Sequence, residues 1–187
     1  MHTIMKFDQE KFREAIIFFA NNVNTLGITK LNKLLYYSDF KHVKLYGRPI
    51  LGDKYVKYKQ GPVPEASYSL FNANFTHQIS KFLSKDIEVK NKKVGPYNQK
   101  RIIAKRESNL EVFSKSEISI LQAVASKFKN STATDLSNRA HIEKPWKETA
   151  PFEYIDYKLI LDNKSVPKAY VAFREAEEIL LEAALLK

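Results

Sequence analysis

The chain has no cysteine in its 187 residues. That excludes a disulfide framework and any thiolate metal centre. Its five glycines, Gly27, Gly47, Gly52, Gly61 and Gly95, are scattered, so neither a phosphate-cradling loop nor a dinucleotide fingerprint can be assembled. The four histidines, His2, His42, His77 and His141, show no zinc-site spacing. No run of carboxylates matches a hard-cation loop. Unbroken apolar runs are only a few residues long, as from Ala15 to Ala20, whereas a spanning helix needs about 20. The opening MHTIMKFDQEKF turns charged where a secretory leader would be apolar. These absences predict a cytoplasmic protein with no membrane partner, no cofactor, no metal and no catalytic residues. It is expected not to be an enzyme.

What is present is the composition of a folded binding protein. Apolar residues make up 44% and charged residues 28%, enough for a buried core and too much charge for a membrane protein. The length predicts one domain over 1–187. The net charge of +10 is concentrated in two stretches: nine basic against two acidic residues over 81–106, and eight against two over 30–59. The last helical pattern is acidic, with Glu175, Glu177, Glu178 and Glu182. Such a distribution can steer nucleic acid or an acidic protein, and it also serves plain solubility.

Helical spacing dominates the pattern. Phe12, Ala15, Ile16, Phe19 and Val23 form one stripe. Asp8 is placed to cap its helix, and Phe7 to staple onto Phe12. Gly27 separates this helix from a second, with Thr29 as its expected cap and Leu31, Leu35, Ser38, His42 and Leu45 as its stripe. Gly47 is placed for a left-handed helix end, and Pro49 prevents continuation. Residues 54–59 alternate like a half-buried strand. Gly61-Pro62-Val63-Pro64 reads as a turn leading to a helix near 64–73. Ile87–Lys90 and Gln99–Lys105 read as strands joined through Gly95-Pro96. Ser114 with Glu117 predicts a capping box, with Phe113 and Ile118 as the staple. The stripe behind it is Ile118, Leu121, Ala125 and Phe128. Thr132 with Asp135 predicts a second cap, for a helix carrying Leu136 and Ala140 and stopped by Pro145-Trp146. A last helix over about 169–186 is expected to bury Ala172, Ala176, Ile179, Leu180 and Ala183.

Few residues carry candidate chemistry. Asp39, His42 and Tyr46 can share a helix face, either as an oriented base or as a histidine satisfied beside the core. No nucleophile or pocket motif accompanies them, which favours the core role. His141 near Glu143 reads as a helix-end group. Trp146, with Phe152, Tyr154 and Tyr157 after it, is either a core anchor or a binding hot spot. The helix pair 115–129 and 133–141, with Thr134, Ser137, Asn138 and Arg139 taken as exposed, admits a helix-turn-helix reading over 115–141. Against it, the turn lacks the common glycine and Asp135 and Glu143 would repel phosphate.

Three pieces in order are more distinctive: Lys30-Leu31-x-Lys33-Leu34-Leu35-Tyr36-Tyr37, then Tyr46-Gly47-Arg48-Pro49, then Gly61-Pro62-Val63-Pro64. They are followed by Ser116-Glu117, Leu136-Ser137 through His141, Pro145-Trp146 and Ile155-Asp156-Tyr157-Lys158-Leu159-Ile160-Leu161. Over about residues 10–161 this succession resembles the SocA-like antitoxin family, the Panacea domain. The resemblance implies a mostly helical bacterial or phage protein that neutralises a cognate toxin, usually encoded by a neighbouring gene. The SocA branch implies an adaptor that hands its toxin to a Clp-type protease. The family supplies no catalytic residue to carry over. The segment 81–106 and the chain after Leu161 fall outside the matched pieces.

The sequence therefore predicts a mainly α (α+β) fold, a helical bundle with a small antiparallel β-sheet. Its function is expected to be toxin neutralisation by direct protein–protein contact, the alternative being a nucleic-acid-binding regulator. The expected partner surface is Lys41, Lys44, Arg48, Lys54, Tyr55, Lys57, Tyr58 and Lys59. There arginine and tyrosine supply hot-spot chemistry and lysines steer an acidic toxin.

Overall fold

A computed structural model describes residues 7–71, 82–94, 97–161 and 166–185. Asp8 opens α1 (Gln9–Asn22) by accepting the Lys11 N–H at 3.0 Å. Phe7 and Phe12 lie 5.4 Å apart between ring centroids, the predicted staple. The helix α2 (Ile28–Tyr46) begins at Gly27, with no side-chain cap. Thr29 is thus inside the first turn and does not cap it. The reason is long-range: Ile102 N–H donates to the Leu26 carbonyl at 2.8 Å and fixes the chain just ahead of the helix. At the other end Gly47 takes φ +75° and donates to the Val43 carbonyl at 2.8 Å.

The helix α2 is buried on almost every side. Lys30, Leu31, Asn32, Lys33, Leu34, Leu35, Tyr36, Ser38, Asp39, Phe40, His42 and Val43 are all inside. A helix covered all round is the central element of its fold, so the stripe read from the sequence is too narrow. Leu45, assigned to that stripe, is exposed. Around α2 pack α4 (Lys115–Phe128), α5 (Ala133–His141) and a 3-10 turn at Tyr157–Ile160. The predicted capping box of Ser114 with Glu117 forms, and the predicted cap of Thr132 with Asp135 is a capping box as well. Glu117 also receives Lys11 Nζ at 2.9 Å, tying α4 to α1. Glu14, buried on α1, accepts two guanidinium nitrogens of Arg106 at 2.6 and 2.8 Å.

Two antiparallel sheets of two strands each complete the mainly α fold. In the first, β1 (Tyr55–Tyr58) pairs with β2 (Gly61–Pro64), with Tyr58 opposite Gly61 and Tyr55 opposite Pro64. The Gly-Pro-Val-Pro segment is a strand, not the expected turn. Its prolines alternate, so their missing donors fall on the rungs that exchange no hydrogen bonds. The helix α3 (Glu65–Phe71) follows at once. In the second sheet β3 (Ile87–Val94) pairs with β4 (Tyr97–Ala104). The Gly95-Pro96 connection lies outside the described residues.

Pro145 and Trp146 do not end the α5 unit. They form a one-turn helix of their own, α6 (Lys144–Lys147), with proline in its first turn. The final helix α7 (Lys168–Leu185) turns a different face inward from the one expected. Tyr170 and Phe173 are buried with Val43 and Leu161, whereas Ile179 is 63% exposed and Ala172 and Ala183 are exposed. Docking beside Gly47 fixes the first turns, and the expected stripe is rotated outward. The surroundings of Leu180 and the residues after 185 lie outside the description. No described helix is long and apolar enough to cross a membrane.

Candidate partner-binding surface

The hairpin β1–β2 is held from below by a buried polar knot. Asp39 accepts Ile50 N–H at 2.8 Å and Leu51 N–H at 2.9 Å on Oδ1. Its Oδ2 lies 3.0 Å from the Tyr55 hydroxyl and 3.1 Å from that of Tyr157. Tyr157 Oη is also 2.7 Å from the Asp53 carbonyl, which can only accept. A hydroxyl has one proton, so Tyr157 donates to Asp53 and the contact with Asp39 is best completed by a proton on the carboxyl. Burial pushes Asp39 up to about 6 in the same sense. Asp53, buried beside it, is pushed up to about 7 and accepts from Lys54 N–H and Ala66 N–H, which starts α3.

Tyr55, expected on the surface, is part of this knot. It is 1% exposed and closed to a partner. Its strand alternation points to the right element and the wrong face. His42 is not oriented by Asp39. Its Nδ1–H donates to the Arg48 carbonyl at 2.6 Å, which leaves Nε2 to accept from Ser116 Oγ at 3.1 Å. Burial lowers its pKa, consistent with a neutral packing group.

Lys33 is fully buried, with Nζ donating to the Pro62 carbonyl at 2.8 Å. A Cβ on Gly61, which has φ +99°, would stand 2.7 Å from Lys33 Cε, so glycine makes room for the amine. Burial lowers its pKa to about 7. The unfolded amine titrates near 10.4, so the unfolded chain binds the extra proton between those values. Stability should therefore rise as pH is raised from about 7 towards 10. Lys33→Met should remove that rise, measured by denaturant melts across this range. An unchanged slope would show that another group causes it.

Above the knot lies an aromatic patch. Tyr58 stacks on Tyr68 of α3 at 5.5 Å and 10°, and Phe152 meets Tyr58 edge-on at 5.8 Å. Lys54 Nζ lies 5.4 Å over the Tyr154 ring, and the Tyr154 hydroxyl donates to Glu65 at 3.0 Å. Phe152 is 73% exposed and Tyr154 54%. Phe152 occupies φ +67°. It sits third in an Ala150-Pro151-Phe152-Glu153 turn closed by Glu153 N–H to the Ala150 carbonyl at 3.2 Å. Type II turns normally place glycine or asparagine there. A bulky residue in that region is strained, and strain of this kind concentrates at functional sites.

The hairpin brings Lys54, Lys57, Tyr58 and Lys59 together. Lys57 is already engaged, since Nζ donates to the Thr149 carbonyl at 2.6 Å and lies 4.1 Å over the Trp146 ring. Lys41 and Lys44 instead line a separate cavity of about 240 Å³ with Lys127 and Glu143. Arg48 is exposed beyond the end of α2. Tyr68 joins the patch with no sequence signal, while Phe152 and Tyr154, grouped with Trp146 as core anchors or hot spots, are exposed and not core. The Pro-Phe turn is the sequence signal for Phe152. Trp146 is half-buried, its ring 4.2 Å from that of His141, where α5 runs into α6. The proposed reading helix is also altered: Ser137 is buried, and α4 and α5 each pack on α2.

The scaffold is mainly α and presents exposed aromatics, Phe152 in a strained backbone, over a braced hairpin. Among the described residues no group of three or more histidines and carboxylates is placed to hold a metal ion. Residues 31–147 match the family model described as Antitoxin SocA-like, Panacea domain, and the chain belongs to that family. No curated protein and no solved structure matches it. The match includes the hairpin β3–β4, which lies outside the motif pieces read from the sequence, and ends before the aromatic turn and α7.

Proposed function

We propose that the chain is an antitoxin that neutralises a cognate protein toxin by direct contact, acting as one domain without catalysis. The toxin is expected to be encoded by the adjacent gene, and delivery to a Clp-type protease is the elaboration carried by the SocA-like resemblance. Lys54, Tyr58, Lys59, Tyr68, Phe152 and Tyr154 form the docking surface in this reading. The observation that carries it is Phe152, a large apolar side chain 73% exposed in a backbone conformation suited to glycine. Aromatic residues dominate binding hot spots, and nearby lysines speed the approach of an acidic partner.

Phe152→Gly separates the two roles of this residue. It removes the left-handed strain, worth about 1–2 kcal/mol, against glycine's entropic cost of about 0.5–1 kcal/mol. The variant should therefore melt at or slightly above the wild-type temperature. When co-expressed with the product of the adjacent gene, it should fail to restore growth, and its complex should dissociate at least tenfold faster. Full neutralisation by a stable Phe152→Gly variant would remove the patch as the toxin site. An adjacent product that is harmless to cells would remove the antitoxin reading itself.

A further inference from the structure

The outer half of the β3–β4 hairpin has an unusual composition. Between the base and the closing Val94–Tyr97 rung, four successive rungs pair Lys90 with Arg101, Asn91 with Lys100, Lys92 with Gln99 and Lys93 with Asn98. Each of these four carries a cation, three carry an amide, and none carries an apolar or acidic side chain. Lys90 and Arg101 stand directly opposite each other, a like-charge pairing that destabilises a ribbon. Lys90 is bridged to Glu88 at 3.1 Å. Among the described residues no ion pair engages Lys92, Lys93, Lys100 or Arg101. Gln99 lies against Gly27 at the start of α2, but Lys92, Lys93 and Asn98 are exposed, and packing does not account for them.

At the base of the ribbon is a cleft of about 940 Å³. Lys30, Lys100 and Arg101 line it together with Asn24, Gln60 and Asn130, and none of its described lining residues is acidic or aromatic. Lys30 is itself buried, held by the Asn24 and Lys129 carbonyls at 2.7 and 3.0 Å, so its charge is fixed at the cleft floor. The wall opposite the ribbon is the loop that leads into α5. These four rungs and the cleft thus form one cationic, amide-bearing surface, whose nearest carboxylate in the ribbon, Glu88, is already bridged to Lys90.

We propose that this surface, the β3–β4 ribbon with the cleft at its base, binds duplex DNA. Cations would meet the phosphate backbone, and asparagine and glutamine would meet groove edges, the side-chain types that pair with adenine. A two-stranded ribbon fits the B-form major groove, about 12 Å wide, whereas the A-form groove of duplex RNA is too deep and narrow for side chains. Single strands are held largely by stacking on aromatic side chains, which the described lining residues of the cleft do not offer. The helix pair α4–α5 is not required as a reader.

The test is fluorescence anisotropy of the full chain with a short labelled duplex, across about 50–200 mM salt. Wild type should bind with a steep salt dependence. Lys100→Gln combined with Arg101→Gln should weaken binding at least tenfold and reduce the log–log salt slope by about 2, roughly one for each phosphate no longer neutralised. Should that pair unfold the hairpin, Lys92→Gln with Lys93→Gln at the exposed tip is expected to give the same reduction with an unchanged melt. Lys41→Gln with Lys44→Gln, on α2, should leave binding unaltered. The inference is overturned by any of four results: no binding at low salt, an equal loss in the α2 pair, tighter binding of single strands than of duplex, or ribbon variants that bind DNA normally and fail to neutralise toxin.

Discussion

Asp39→Ala is expected to destabilise the protein by about 3–5 kcal/mol, the usual cost of leaving a buried polar cluster without its partner. Two backbone amides, Ile50 N–H and Leu51 N–H, and the Tyr55 hydroxyl would lose their acceptor, and the Tyr157 hydroxyl would lose its contact with the carboxyl. None of these groups can turn to water, because Asp39 and Tyr55 are almost wholly enclosed. Denaturant melts measure the loss. Asp39→Asn keeps one acceptor for the amides and mimics the protonated acid, so its cost should be smaller, about 1–2 kcal/mol. The pH dependence adds a second readout. Asp39 is raised to about 6 when folded against about 3.9 unfolded, so the folded chain binds the extra proton. Its contribution is fully present below about pH 4 and is lost as the pH rises through about 6. Asp39→Asn should flatten the stability profile in that window. If Asp39→Ala melts within about 1 kcal/mol of wild type, the knot does not brace the hairpin.

Gly47→Val is the second large effect, about 2–4 kcal/mol from left-handed backbone strain combined with overpacking. Gly47 has φ +75°, and a Cβ there would stand 2.6 Å from Tyr170 N and 2.9 Å from Ala169 Cβ. The glycine therefore serves two ends, closing α2 and letting the start of α7 approach its backbone. Gly47→Asn distinguishes them, because asparagine tolerates the left-handed region but still carries a Cβ. Equal losses in both variants would assign the cost to the approach of α7, whereas a mild Asn variant would assign it to the backbone angle. Proteolysis within 166–185 should accelerate in Gly47→Val as α7 undocks. A variant that kept the wild-type melt and lost neutralisation would make Gly47 a contact residue instead.

Local signals are legible in the sequence for a physical reason. Asp8, the Ser114–Glu117 pair, the Thr132–Asp135 pair and Gly47 act on atoms within four residues of themselves. Their chemistry is complete within the window in which they are read. The errors fall where the deciding partner is remote. Thr29 does not cap α2 because Ile102 holds the chain ahead of the helix. Lys33 and Asp39 look like the polar face of a surface helix until Pro62, Ile50 and Tyr157 are placed around them. Gly61–Pro64 is a strand only because Tyr55–Tyr58 lies beside it. The inward face of α7 is chosen by its seat on Val43 and Leu161. The surface is half legible: the lysines and Tyr58 of the hairpin stand out in the sequence, while Tyr68, Phe152 and Tyr154 join them only in three dimensions.

The enclosure of α2 has a consequence for the order of events at the ribosome. Of its covering elements only α1 precedes it; β2, α4, α5 and the Tyr157–Ile160 turn all lie downstream. At about 5–20 residues per second, Tyr157 leaves the ribosome on the order of ten seconds after Tyr46. During that interval a helix bearing Leu31, Leu34, Leu35, Tyr36 and Phe40 lacks the cover of α4, α5 and the Tyr157–Ile160 turn. The nascent chain then exposes apolar surface that a holding chaperone would bind, and the proposed partner surface is incomplete, because residues 152–154 are among the last of the patch to be made. A chain stalled before Tyr157 should be captured as an unfolded client, and one extended past Leu161 should escape. On the proposed function, the capacity to neutralise a toxin would thus lag translation of this chain by a delay written into the position of its central helix.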